Sequence, residues 1–130
     1  RRSIAKLDWR TFRFYGWNYF GYVQPKNGEP MFAFVPGGAF SGSENITTVR
    51  LCSLSGSDVY IQMKANTRFV FMGNGKLFTI AESVFTSYDL TGKETGSYQL
   101  PFAPQKIHSV GSGSHIGLST ADAVYLLKLP

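Results

Sequence analysis

Ser55-Gly56-Ser57-Asp58-Val59-Tyr60-Ile61-Gln62 and Ser112-Gly113-Ser114-His115-Ile116-Gly117-Leu118-Ser119 stand 57 residues apart and align without a gap. In both, a glycine-bearing turn leads into alternating residues, the two-residue period of a half-buried strand. Val59 and Ile61 share one strand face, with Met63 beyond them, and Ile116 and Leu118 hold the matching places. Thr11-Phe12-Arg13-Phe14-Tyr15-Gly16 meets Arg68-Phe69-Val70-Phe71-Met72-Gly73 at the same spacing. After a two-residue deletion in the later copy, Phe69-Val70-Phe71 meets Val124-Tyr125-Leu126. A rival spacing of about 38 links Gly37-Gly38, Gly73-Asn74-Gly75 and Gly111-Ser112-Gly113. It matches mostly turn residues and needs shifting offsets, so the longer period is preferred.

Working outward, each 57-residue unit reads as four short strands. In the first they fall at residues 31–35, 49–54, 58–63 and 68–72. In the second they fall at residues 84–90, 106–110, 115–119 and 123–127. Ser55-Gly56-Ser57 and Lys64-Ala65-Asn66-Thr67 read as hairpin connections, since Gly and Asn accept positive φ. Pro101 and Pro104 fall between strands, where a missing N–H costs little. No window carries a helical period. Sheets this small cannot bury both faces alone, so they must stack on neighbours. The expected fold is all-β, built of propeller-like blades. Residues 1–16 end a preceding blade and carry a basic arm, and residues 17–73 and 74–130 form one repeat each. Two blades do not close a ring, and an open ring leaves bare edges. The expectation is therefore a portion of a larger propeller, cut from a longer chain or completed by other chains. Arg1 in place of a start methionine fits a processed or cut chain.

Composition narrows the function classes. Of 130 residues, 15% are aromatic and only 16% charged, with fourteen glycines, which suits a turn-rich β body. No apolar run approaches the ~18 residues of a membrane-crossing helix, so membrane insertion is not expected. The opening residues lack the basic-then-apolar layout of a secretory leader. With one cysteine, Cys52, there is no internal disulfide framework, and the expected setting is intracellular. Asn45-Ile46-Thr47 matches the N-glycosylation pattern, which has little weight without a leader. The net charge of +5 is concentrated at the start: Arg1, Arg2, Lys6, Arg10 and Arg13 oppose only Asp8. The rest holds eight basic and seven acidic side chains, so the body is nearly neutral.

A family resemblance rests on three segments. Tyr15-Gly16-Trp17-Asn18-Tyr19-Phe20-Gly21-Tyr22-Val23 resembles the Trp-Gly-x-Asn-x-x-Gly-Gln-Leu signature of the regulator of chromosome condensation family. Ser112 to Thr120 is similar to its Gly-x-His-x-x-Ala-Leu-Thr segment, and Thr120-Ala121-Asp122-Ala123-Val124-Tyr125 to its Asp-Gly-x-Val-Tyr turn. The resemblance implies a propeller, usually of seven blades, and guanine-nucleotide exchange on a small GTPase as one activity. This chain departs from the pattern: Asp58 replaces the histidine in the first copy, Gly73 is followed by Asn74-Gly75, and Lys128 replaces a glycine.

Chemistry-bearing residues are scattered. His108 and His115 flank the Gly111-Ser112-Gly113 turn without Cys, Asp or Glu beside them, short of a zinc ligand set. Cys52 lacks a neighbouring base and reads as a small buried hydrophobe. Gly73-Asn74-Gly75 and Gly111-Ser112-Gly113 precede apolar alternation rather than a helix, so they are turns and not phosphate cradles. Asp58, Glu82, Asp89, Glu94 and Asp122 stand singly. No enzyme activity, metal, cofactor or small-molecule substrate is expected. The densest unusual feature is Trp9, Phe12, Phe14, Tyr15, Trp17, Tyr19, Phe20 and Tyr22, interleaved with Arg10 and Arg13. Aromatic and arginine side chains are the usual anchors of interfaces. The expected function is a protein-interaction scaffold whose partners are other protein subunits, contacted through Arg10, Arg13, Trp17, Phe20 and Tyr22. Its rivals are exchange on a small GTPase and nucleic-acid or chromatin binding by the basic arm, where aromatic platforms stack bases.

Overall fold

The structure, a computed structural model, describes residues 15–37, 45–109 and 113–130. These form eleven strands and no helix: β1 Trp17–Val23, β2 Met31–Pro36, β3 Thr48–Ser53, β4 Asp58–Gln62, β5 Thr67–Gly73, β6 Lys76–Ala81, β7 Val84–Tyr88, β8 Glu94–Gln99, β9 Lys106–Ser109, β10 His115–Ser119 and β11 Val124–Lys128. They make three antiparallel sheets in the order β1-β2-β3-β4, β5-β6-β7-β8 and β9-β10-β11. Each sheet runs strand to neighbouring strand, a blade-like meander.

Local chemistry explains the turns. Asn74 and Gly75 alone join β5 to β6, both with positive φ, at 50° and 75°. That is the two-residue Asn-Gly connection whose twist matches a hairpin. The β7–β8 turn is held by Asp89, whose Oδ1 accepts from Thr91 N at 2.9 Å, Thr91 Oγ1 at 2.6 Å and Lys93 N at 3.1 Å. The Thr91 hydroxyl, then the backbone amides and the Lys93 charge, keep the Asp89 carboxyl below its ordinary value.

The sheets stack through two apolar layers. Val23, Met31, Ala33, Val35, Val49, Leu51 and Ile61 of the first sheet meet Leu77 and Tyr88 of the second. On the opposite face of the second sheet, Phe69, Phe71, Phe78, Ile80 and Phe85 meet Ile116, Leu118 and Leu129. The second sheet is therefore covered on both sides. Phe71, Phe78 and Phe85 form a stack across β5, β6 and β7, with neighbouring centroids 5.4 Å apart. The third sheet comes very close at the β5 end: a Cβ on Gly73 would lie 2.9 Å from Leu129 Cδ1 and 3.2 Å from Gly113 O. Asn74 Nδ2 adds a hydrogen bond to Pro130 O at 3.1 Å.

Several sequence expectations change. The described residues show two four-stranded sheets and one three-stranded sheet. The residues assigned to a preceding blade, 1–16, lie almost wholly outside the described residues. Lys64 to Thr67 is no hairpin: β4 and β5 belong to different sheets. The link is fastened by Met63 N to Thr47 O at 2.9 Å and Ile46 N to Thr67 O at 2.7 Å. The boundary at residues 73/74 falls at the β5–β6 turn, inside one sheet. The 57-residue spacing aligns β4, an edge strand of the first sheet, with β10, the middle strand of the third. The matched segments thus share strand character without sharing a place in a sheet. The spacing set aside earlier fits the last two sheets better, because Gly75 and Gly113, 38 apart, both serve the first hairpin turn with φ of 75° and 71°.

Two outcomes follow from this packing. Phe78, fully buried at the centre of the stack, makes Phe78→Ala cost about 3–5 kcal/mol, read as a lower denaturant midpoint. A change below about 1 kcal/mol would contradict a second sheet packed on both faces. Because the Asp89 carboxyl is held low, its stabilisation is complete above its ordinary value of 3.8 and is lost as pH falls through the folded value. Asp89→Ala should therefore lower stability by about 1 kcal/mol at pH 7, and the difference should shrink towards pH 2. A difference that stays constant over this range would refute the assignment.

Candidate functional site

The first strands of the three sheets lie together. β1 contacts β5, and a Cβ on Gly21 would sit 3.7 Å from Met72 Cγ. With β9 they bound an open cleft of about 590 Å³. Phe20, Gly21 and Tyr22 come from β1, residues 68–72 from β5, and Gln105 to His108 from β9 and its approach. A bulge in β1 shapes this wall. The register with β2 shifts between Tyr19 and Gly21, inserting Phe20 as an extra residue. Tyr19 stays paired with Phe34 on the outer side of the sheet, while Phe20 turns against the layer shared with the second sheet. A bulge re-aims a side chain in this way at the cost of one ladder position.

Arg68 and Lys106 are exposed along the cleft, His108 stands beside Lys106, and among the described residues that line it there is no carboxylate. The Arg68 guanidinium lies 5.9 Å from the Phe69 ring centroid. His108 Nε2 and Ser119 Oγ share a hydrogen bond at 2.9 Å. Tyr22, 60% exposed, rests against Phe32 at 6.1 Å. The arrangement offers cations, a hydrogen-bonding imidazole and aromatic edges to a ligand.

Of the residues singled out by sequence, Phe20 and Tyr22 reach this cleft. Trp17 does not: it lies on the outer side of the first sheet, in edge contact with Tyr60 at 5.8 Å. Arg10 and Arg13 lie outside the described residues. Arg68 and Lys106 were not singled out. Their signal was faint, since each is a lone cation on a polar position of a strand and only tertiary pairing brings them together.

The outer side of the first sheet holds a second cluster. Arg50 of β3 reaches diagonally to Asp58 of β4, whose register partner is Cys52, and forms a two-pronged ion pair: Nε donates to Oδ1 and Nη2 to Oδ2, each at 2.8 Å. The guanidinium lies 5.4 Å from the Trp17 ring and 5.2 Å from the Tyr60 ring. Cys52 Sγ donates to Asp58 Oδ1 at 3.4 Å. Hydrogen bonding to Asp58 raises the Arg50 pKa, opposed by desolvation. Asp58, a lone acid by sequence, is thus the counterion of an arginine that is only 1% exposed. Burial raises the Tyr19 phenol above its ordinary value, and the neighbouring Tyr22 adds to the effect. His108 and His115 each bond a serine, the latter through Nδ1 and Ser114 Oγ at 2.8 Å. Among the described residues no group of three His, Cys, Asp or Glu side chains could hold a metal ion.

Asp58→Ala removes both prongs and weakens the hold on a buried charge, costing about 2–4 kcal/mol. Arg50→Lys cannot reproduce the fork and should lose a similar part. Chemical denaturation checks both. Equal stability of Asp58→Ala and the parent chain would show that the pair contributes nothing.

Comparison with known proteins places no relative beside this geometry: no protein-family model, no curated protein and no solved structure matches the chain.

Proposed function

We propose that the chain is a portion of a β-propeller of the kind seen in regulator of chromosome condensation repeats, serving as a non-catalytic interaction scaffold. The propeller reading is supported by three successive meander sheets stacked face to face with their first strands converging. The scaffold reading is carried by the cleft those strands line. There Phe20 and Tyr22 stand with Arg68 and Lys106. Such a surface suits an acidic protein segment bearing an apolar anchor: the cations steer and orient it, and the aromatic walls supply buried area. The other elements act as a rigid frame that fixes the distance between the β1 wall and the β9 wall.

The test is selection from a displayed library of random peptides, followed by titration of the selected peptides by fluorescence anisotropy. Selected sequences should be rich in Asp and Glu, and Arg68→Glu with Lys106→Glu should weaken them roughly tenfold or more. Selection of neutral or basic peptides, or binding indifferent to both reversals, would overturn this reading. A labelled single-stranded oligonucleotide that binds more tightly than any selected peptide, with steep salt dependence, would move the assignment to nucleic acid.

A further inference from the structure

Two Asn-Gly pairs occur in the sequence, Asn27-Gly28 and Asn74-Gly75, and the fold treats them differently. Asn74-Gly75 is the two-residue turn between β5 and β6, with Gly73 paired to Lys76 across it. Both of its residues hold positive φ, and Asn74 Nδ2 donates to Pro130 O at 3.1 Å. The ladder on either side and this bond fix the Asn74 side chain. Asn27-Gly28 lies instead in the longer connection between β1 and β2, beyond their last pair, Val23 and Met31. Asn27 and Gly28 are both exposed. This connection is fastened at its ends: Gln24 Nε2 donates to Pro25 O at 3.3 Å and to Gly28 O at 2.8 Å, and Ser55 Oγ donates to Glu29 Oε1. A Cβ on Gly28 would lie 3.2 Å from Pro25 Cγ, so the bend favours glycine there. The fold thus sets a residue without a side chain directly after an exposed asparagine.

We propose that Asn27 is a site of spontaneous covalent modification, converting to aspartate and isoaspartate through a cyclic imide. Asparagine is a labile side chain, and glycine leaves the next backbone nitrogen unhindered. The Gly28 nitrogen gives up its proton and attacks Asn27 Cγ. A C–N bond forms, the Cγ–Nδ2 bond breaks, and Nδ2 leaves as ammonia with that proton. Water then opens the imide. Addition at Cγ restores the ordinary main chain and leaves aspartate. Addition at the main-chain carbonyl carbon routes the chain through Cγ and leaves isoaspartate with a free α-carboxylate. The ring closes only where the asparagine side chain and the following peptide can turn towards each other. The exposed connection allows this, and the β5–β6 hairpin does not. Either product adds a negative charge between Lys26 and Glu29. Isoaspartate also lengthens the main chain between Gln24 and Gly28, the two residues joined by the 2.8 Å bond, and so breaks that fastening. The α-carboxylate it exposes is the group that an isoaspartate carboxyl methyltransferase esterifies with a sulfonium methyl donor. The modification depends on neither the cleft nor its ligand.

The test holds the full chain at mildly alkaline pH, folded and in denaturant, and follows both asparagines by peptide mapping with mass spectrometry. In denaturant Asn27 and Asn74 should convert at similar rates. In the folded chain Asn27 should stay close to that rate, while Asn74, which must wait for local opening of its hairpin, should slow roughly tenfold or more. Isoaspartate carboxyl methyltransferase with a labelled methyl donor should transfer label to the aged, folded chain at position 27. Asn27→Gln, whose longer side chain closes the ring poorly, should remove that label. The proposal is overturned if folding protects Asn27 as strongly as Asn74, if no isoaspartate forms at position 27, or if Asn27→Gln leaves the label unchanged.

Discussion

Burial of the second sheet on both faces is the constraint from which the rest of the structure follows. Along β6, Leu77, Phe78, Thr79 and Ile80 are all 2% exposed or less, on alternating sides. A strand cannot be dry on both faces unless something flat and apolar lies on each, so the first and third sheets must stack there. That requirement sets the order of layers and the inward face of each outer sheet. It also explains the close approach at Gly73, where any side chain would push Leu129 and the third sheet away.

Stacking then positions the surfaces. Successive meanders laid face to face bring their first strands to one end of the layers, and the cleft forms between them. The bulge at Phe20 breaks the alternation of β1: Phe20 and Gly21 both fall on the inner side, and Tyr22 joins Tyr19 on the outer side, against Phe32 and Phe34. At the far end, among the described residues, the first sheet ends in β4, the second in β8 and the third in β11. The same constraint thus yields a lined cleft at one end and, at the other, the half-exposed Tyr98 ring of β8 beside Phe85.

How much of this was legible in the sequence depended on exposure. Strands whose apolar residues recur at every second position announced themselves: Val59 and Ile61 in β4, and Ile116 and Leu118 in β10. β6 was missed because Leu77-Phe78-Thr79-Ile80-Ala81, buried on both faces, has no alternation to detect. β8 was missed for the opposite reason, since Glu94-Thr95-Gly96-Ser97-Tyr98-Gln99 is polar nearly throughout at a sheet edge. β1 was read as a family signature and an aromatic cluster, and its bulge hides the strand period. Of the site, Phe20 and Tyr22 could be named from aromatic density alone. Arg68 and Lys106 could not, because nothing in a linear chain relates the start of β5 to the start of β9.

The sequence by itself determined the class of element: short antiparallel strands, glycine and asparagine at turns, and no helix, since these depend on residues within a few positions of one another. Which strands share a sheet was decided only in three dimensions. Asn66 and Asn74 both take positive φ between two strands, at 65° and 50°, yet one lies in a link between sheets and the other in a hairpin. Local chemistry permits both outcomes. The choice belongs to the burial of Val59 and Ile61 against the second sheet, and of Phe71 and Phe78 against the third, which only the assembled layers supply.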